Sequence, residues 1–185
     1  AFSQENDDDS KSGSSEMEKS FDELSNENLF KYQPEKVKKE EKVVNYYEDG
    51  KIESQFTIVE GKKQGEAKLY YNNGQLKQEG NWLDNKQEGL WIFYYENGQI
   101  SGKVQFHNDQ QGHTLFYYPN GKLKEESNVV NNKLNGKAKL YYENGNLKEE
   151  SEWLNGERQG KATFYYSVTH EQKIWIYNNG VQVNE

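Results

Sequence analysis

Histidine is the side chain best placed to ligate a metal or move a proton near neutral pH, and this sequence has His107, His113 and His170. His107 and His113 lie six residues apart across an expected turn, and the chain has no cysteine, so a zinc site would need carboxylates to complete it. The acids occur as adjacent pairs, Glu125-Glu126 and Glu149-Glu150. Neighbouring side chains on a strand point to opposite faces, so neither pair can place two carboxylates on one side of a scissile bond. They are expected on solvated strand positions. No GxSxG, P-loop or GxGxxG element is present. No catalytic residue, cofactor-binding residue or metal ligand is therefore assigned, no cofactor is expected, and the chain is read as a non-enzyme.

The remaining side chains capable of chemistry are rings. The 185 residues include 4 Trp, 14 Tyr and 8 Phe, while only 32% of residues are hydrophobic and mean hydropathy is -1.24. That composition argues against a thick two-sided core, and the aromatics exclude a wholly disordered chain. A thin fold held together by rings satisfies both limits. The length suits one domain or one short repeat array. Net charge is -8 with a pI near 5.1, which argues against nucleic acid and against electrostatic docking on anionic lipid. No apolar run approaches the roughly 18–20 residues of a spanning helix.

The elements that position these rings are visible as repeats. YYEDGKI (46–52) recurs as YYNNGQL (70–76), YYENGQI (94–100), YYPNGKL (117–123) and YYENGNL (141–147). Gly50, Gly74, Gly98, Gly121 and Gly145 are spaced 24, 24, 23 and 24 apart, and Gly65, Gly89, Gly112, Gly136 and Gly160 form a second comb of the same period. LKQEGNW (76–82) and GEAKLYY (65–71) alternate apolar and polar positions, as half-buried strands do. The intervening YYxNG segments are expected to be tight hairpin turns that use the left-handed backbone of Asn-Gly. Two strands and two turns per repeat give an antiparallel meander of about 12–14 strands, on the order of 60 Å long. Before it, residues 1–41 carry 12 acidic and 6 basic residues and read as a flexible acidic tail. Within the tail Met17, Phe21 and Leu24, followed by Leu29 and Phe30, permit a short amphipathic helix that Pro34 would end.

The segment YYNNGQLKQEGNWLDNKQEGLWIFYYENG (70–98) resembles the MORN repeat in the variant form common in bacterial proteins. The resemblance spans about residues 43–185, with five full copies and partial end copies. It departs after Tyr165-Tyr166, where SVTHEQKI replaces the glycine turn. The shorter aromatic hairpin repeat of choline-binding proteins lacks the LKxEGxW strand and fits less well. The expected architecture is all-β, a single-layer antiparallel meander of stacked hairpins over residues 42–185, with an atypical C-terminal cap at 167–185 and a disordered or partly helical tail. The resemblance implies an interaction or assembly module; several bacterial members are labelled antitoxins by similarity, and phospholipid binding has been proposed for eukaryotic ones.

Alternation sorts the side chains into two faces. Ala67, Leu69 and Tyr71, with Trp91, Phe93, Tyr95, Thr114, Phe116, Tyr118 and their counterparts in later copies, share the face expected to be core. The first tyrosine of each pair, as in Glu66, Lys68, Tyr70 and Lys137, Lys139, Tyr141, lies on the wetter face, where Tyr70 and Tyr141 belong to a ladder that either steadies the sheet or meets a partner. Leu90, Ile92, Tyr94, Leu115 and Tyr117 break the polar pattern of that face and are the candidate partner-binding residues. A protein partner is expected. Alternatives are a glycan bound on the tyrosine ladder, a cytoplasmic antitoxin role, and a lid formed by the tail's own Phe21, Leu24, Leu29 and Phe30. Gly50, Gly74, Gly98, Gly121 and Gly145 are expected to hold positive φ. The chain opens at Ala1, from which a removed leader and an extracytoplasmic location, in a bacterial envelope or secreted protein, are expected.

Overall fold

The computed structural model describes residues 38–166 and 171–183. The tail's expected helix and lid, and His170, lie outside them. The described residues form strands and turns with no helix. In chain order the strands are β1 (Glu40–Tyr46), β2 (Ile52–Val59), β3 (Lys62–Tyr70), β4 (Leu76–Leu83), β5 (Lys86–Tyr94), β6 (Ile100–His107) and β7 (Gln110–Tyr117). They continue as β8 (Leu123–Val130), β9 (Lys133–Leu134), β10 (Gly136–Tyr141), β11 (Leu147–Leu154), β12 (Glu157–Tyr165), β13 (Gln172–Asn178) and β14 (Val181–Val183). All 14 belong to one sheet in which each strand pairs antiparallel with the next, except that β8 passes to β10 and the two-residue β9 pairs with β8 alone.

Two kinds of turn alternate along the meander. At the YYxNG end the glycine amide donates to the second tyrosine's carbonyl, as from Gly74 N to Tyr71 O at 2.8 Å, and only the glycine is left-handed. Its φ is +85° at Gly50 and Gly74, +83° at Gly98, +81° at Gly121 and +93° at Gly145. The asparagine before it keeps negative φ, and its Oδ1 accepts the amide two residues on, at 2.9 Å from Asn73 to Gln75. The two-residue turns with both residues left-handed lie at the opposite end: Glu60-Gly61, Asp84-Asn85, Asn108-Asp109, Asn131-Asn132, Asn155-Gly156 and Asn179-Gly180. The expected positive φ of these glycines holds, and only the asparagine departs from a left-handed Asn-Gly pair, because the four-residue turn from Tyr71 to Gly74 needs positive φ only at its last residue. In the second comb Gly65, Gly89, Gly136 and Gly160 are left-handed and Gly112 is not; Gly65, Gly89 and Gly160 lie within register shifts of the strand pairs.

Gly121 isolates the backbone term, since nothing lies within 4 Å of a Cβ added there. Gly121→Val is expected to destabilise by roughly 1–3 kcal/mol through strain at positive φ. Gly112→Ala, whose new Cβ would meet ordinary contacts, should stay within about 0.5 kcal/mol once helped by reduced chain entropy. Urea melts of the two variants check the contrast.

The core is one narrow band on one face of the sheet. Its central row runs Val43, Phe56, Ala67, Gly80 on β1–β4, Trp91, Val104, Thr114, Ser127 on β5–β8, and Ala138, Ser151, Ala162, Trp175 on β10–β13. Large rings stand beside small residues. Trp91 is 0% exposed and forms the core with Ala67, Val104 and Phe106, against which Phe56, Trp82 and Phe93 pack. Gly80 makes this possible: a Cβ there would sit 2.3 Å from Trp91 Cδ2, so the indole lies directly on the glycine backbone. Trp82 meets the indole edge-on at 5.4 Å, Phe106 at 6.3 Å, and Trp91 Nε1 donates to Asn81 O at 3.2 Å.

In later copies the row is Ser and Ala, too short to exclude water alone. Arg158, paired with Trp153, reaches across it to Glu149 Oε1 at 2.6 Å, while its guanidinium stacks on Trp153, Phe164 and Tyr177 at 4.9, 5.7 and 5.6 Å. Glu149 is thereby 5% exposed and Ser151 and Ala162 are buried. The expected core face is accordingly only partly apolar: Phe116 is 37% exposed, and Thr114 and Ser127 are buried and share a 2.8 Å hydrogen bond.

The second tyrosines are less a core than a staircase. Tyr47 donates its hydroxyl to the carbonyl of Tyr70, Tyr71 to that of Tyr94, Tyr95 to Tyr117, Tyr118 to Tyr141 and Tyr142 to Tyr165, at 2.6–2.9 Å. Each hairpin is thus tied to the next outside the strand ladder. Lys77, Lys124 and Lys148 lie over the rings of Tyr71, Tyr118 and Tyr142.

Candidate partner-binding face

The opposite face is organised by register. Its central row is Val44, Gln55, Lys68, Glu79, Ile92, Lys103, Leu115, Glu126, Lys139, Glu150, Thr163, Ile174, one residue from each of β1–β8 and β10–β13. Charges alternate along it, as cross-strand pairs favour, until Ile92 and Leu115 interrupt them. Leu90, 48% exposed, stands beside Ile92 on β5, and Tyr94 closes that strand. Leu115 and Tyr117 are half-buried on β7. The five candidate residues therefore occupy two returning strands with β6 between them.

Between Ile92 and Leu115, β6 places Lys103, with its Nζ 5.9 Å from the Tyr117 ring centroid. The patch is thus an apolar frame around a cation. Lys103 was legible in the repeat comparison, because it stands in ISGKVQF where the other copies have Glu79, Glu126 and Glu150. Alternation alone marked it only as a polar position. A shallow groove of about 170 Å³ runs beside the frame, lined among others by Glu66, Lys68, Glu79, Leu90 and Ile92.

The ladder tyrosines differ in what they hold. Tyr94 donates to Glu79 Oε1 at 2.6 Å, and burial together with that carboxylate pushes its hydroxyl pKa up to about 12. Tyr70 reaches Gln55 Oε1 at 3.4 Å. Tyr141 is half-buried near the YYxNG margin. The Tyr94 phenol is therefore not poised for proton transfer near neutrality.

The candidate chemical groups are dispersed. His107 Nδ1 contacts Glu88 Oε1 at 2.9 Å and His113 Nε2 contacts Glu126 Oε1 at 3.3 Å, on separate strands. The Asn108 amide, and after it His107, hold the Glu88 carboxyl below the usual carboxylate range. Glu125 accepts from Ser127 Oγ on the core face, while Glu150 faces Lys139 at 3.9 Å on the other. Among the described residues no three acidic or imidazole side chains converge to hold a metal.

The repeating unit that builds this face is a strand, a YYxNG turn and the following strand. Residues 42–59, 63–84, 87–108, 110–131 and 134–155 each match the family model described as MORN repeat variant, together more than half of the chain. The chain belongs to the MORN repeat variant family. Residues 150–168 also match the MORN repeat itself. No curated protein matches the chain. MORN repeats are commonly protein-interaction or membrane-binding modules and are generally non-catalytic.

Proposed function

We propose that this MORN array is a non-enzymatic protein–protein interaction module of a bacterial envelope or secreted protein, and that its partner docks around Ile92 and Leu115. The observation that carries this is the interruption of the charged central row by the apolar frame of Leu90, Ile92, Tyr94, Leu115 and Tyr117. A partly exposed apolar patch set among charged neighbours marks a contact site, and Tyr94 and Tyr117 supply the amphipathic rings favoured at interfaces. A glycan on the tyrosine ladder is less well supported, because Tyr70 and Tyr94 already donate their hydroxyls within the sheet.

The double substitution Ile92→Lys and Leu115→Lys tests the proposal. Affinity capture from envelope and from cytosolic fractions with the parent chain should yield partners that the double variant no longer retains, while the melting temperature moves by about 3 °C or less, since each new lysine can extend to water. Enrichment from the envelope fraction supports the location as well. Unfolding of the double variant would instead make the patch part of the core, and retention of the same partners would place docking elsewhere.

A further inference from the structure

We propose that Lys103 is the recognition residue of this face, and that the partner is a protein segment presenting a carboxylate between apolar side chains. This rests on the partner face proposed above and specifies its chemistry. Three lysines occupy the central row. Lys68 stands opposite Gln55 and Glu79, and Lys139 opposite Glu126 and Glu150. Lys103 stands opposite Ile92 and Leu115, with no carboxylate on either side. Among the described residues its ammonium makes no ion pair, and it lies 5.9 Å from the centroid of the Tyr117 ring. The outgoing strands carry Gln55, Glu79, Glu126 and Glu150 at the matching position, so β6 alone reverses the sign there, and it does so where the flanking strands turn apolar.

Docking decides what such a cation requires. An apolar segment laid over Ile92 and Leu115 strips water from Lys103, and a desolvated charge is tolerated only when it is paired. A partner that is apolar throughout leaves the ammonium orphaned, and a partner with Lys or Arg at that point meets a like charge. An acidic group over Lys103 satisfies the site best, since it supplies both charge and hydrogen-bond acceptors, so the same residue favours one class of segment over the others. The chain's acidity does not prevent this: of the net charge of -8, residues 1–41 carry -6, which leaves the array near neutral. A single lysine also makes a weak anchor for an anionic bilayer, which is held by clusters of basic residues.

The test is a randomised dodecapeptide display library panned on the full chain, with Lys103→Glu, Lys103→Met and the Ile92→Lys/Leu115→Lys variant as parallel baits, each first checked for a cooperative melt. The parent should enrich peptides with Asp or Glu flanked by apolar residues. Lys103→Glu should weaken those peptides by about tenfold or more and enrich Lys or Arg instead, within the range of measured close charge-pair couplings at interfaces. Lys103→Met should keep the apolar flanks and lose the acidic preference, which preserves the test if the charge reversal fails to fold. Peptides that need Ile92 and Leu115 but show no acidic preference would overturn the role of Lys103 and leave the face intact. Peptides indifferent to the Ile92→Lys/Leu115→Lys variant would overturn the face itself, and failure to enrich any peptide counts against both. Vesicles of phosphatidylcholine with phosphatidylglycerol should not bind; binding lost in Lys103→Glu would overturn the proposal in favour of a lipid surface.

Discussion

Trp91→Ala is expected to cost about 3–5 kcal/mol, more than any other single truncation in the array. Its indole is fully buried on Gly80, and among the described residues no second layer faces it to refill the space, so Trp82 and Phe106 would each lose an edge-on partner. The reciprocal change is informative. Gly80→Ala drives a methyl to 2.3 Å from the indole and should itself destabilise by about 1–3 kcal/mol as overpacking. The double variant should cost less than the sum of the two, because the alanine methyl then fills part of the vacated volume; neighbours in contact couple by roughly 0.5–3 kcal/mol. Urea unfolding of the three variants gives the coupling directly. Strict additivity would show that the ring does not rest on Gly80.

Removing three staircase hydroxyls together, Tyr71→Phe, Tyr95→Phe and Tyr118→Phe, should lower stability by roughly 3 kcal/mol, at about 1 kcal/mol per hydrogen bond. Each substitution keeps the ring and deletes only the donor to the carbonyl of Tyr94, Tyr117 or Tyr141. The three sites are two strands apart, roughly 9–10 Å, so their effects should be nearly additive. Tyr70→Phe is the control, since its hydroxyl makes a longer 3.4 Å contact with Gln55. A triple variant no less stable than the control would mean that water replaces the staircase at no cost.

Much of this was legible because the information is local and periodic. Strands with period-2 alternation, the YYxNG repeats and the glycines that hold positive φ follow from backbone sterics within a few residues, so the meander and the alternation of faces could be read from residue types. The turns were partly misplaced because Asn-Gly is the strongest hairpin signal, whereas Asp84-Asn85, Asn108-Asp109 and Asn131-Asn132 form the left-handed pairs without any glycine. Cross-strand partners were harder to read. The fit of Trp91 onto Gly80, the reach of Arg158 to Glu149, and the isolation of Lys103 between Ile92 and Leu115 all depend on register, and the shifts of register within most strand pairs obscure it in a linear reading.

The nearest-neighbour meander also sets how the array responds to tension. Force applied along the row of strands acts on each ladder of hydrogen bonds from its end, so bonds open one after another like a zipper and do not share the load in shear. Every hairpin released adds a repeat of 23 or 24 residues, on the order of 80 Å of extended chain. The tyrosine clasps between hairpins lie at the YYxNG margin, where they resist peeling from that side and leave the two-residue turns as the softer edge. Under such a load the array is expected to lengthen in discrete increments, with the indole-packed hairpins around Trp91 the last to yield.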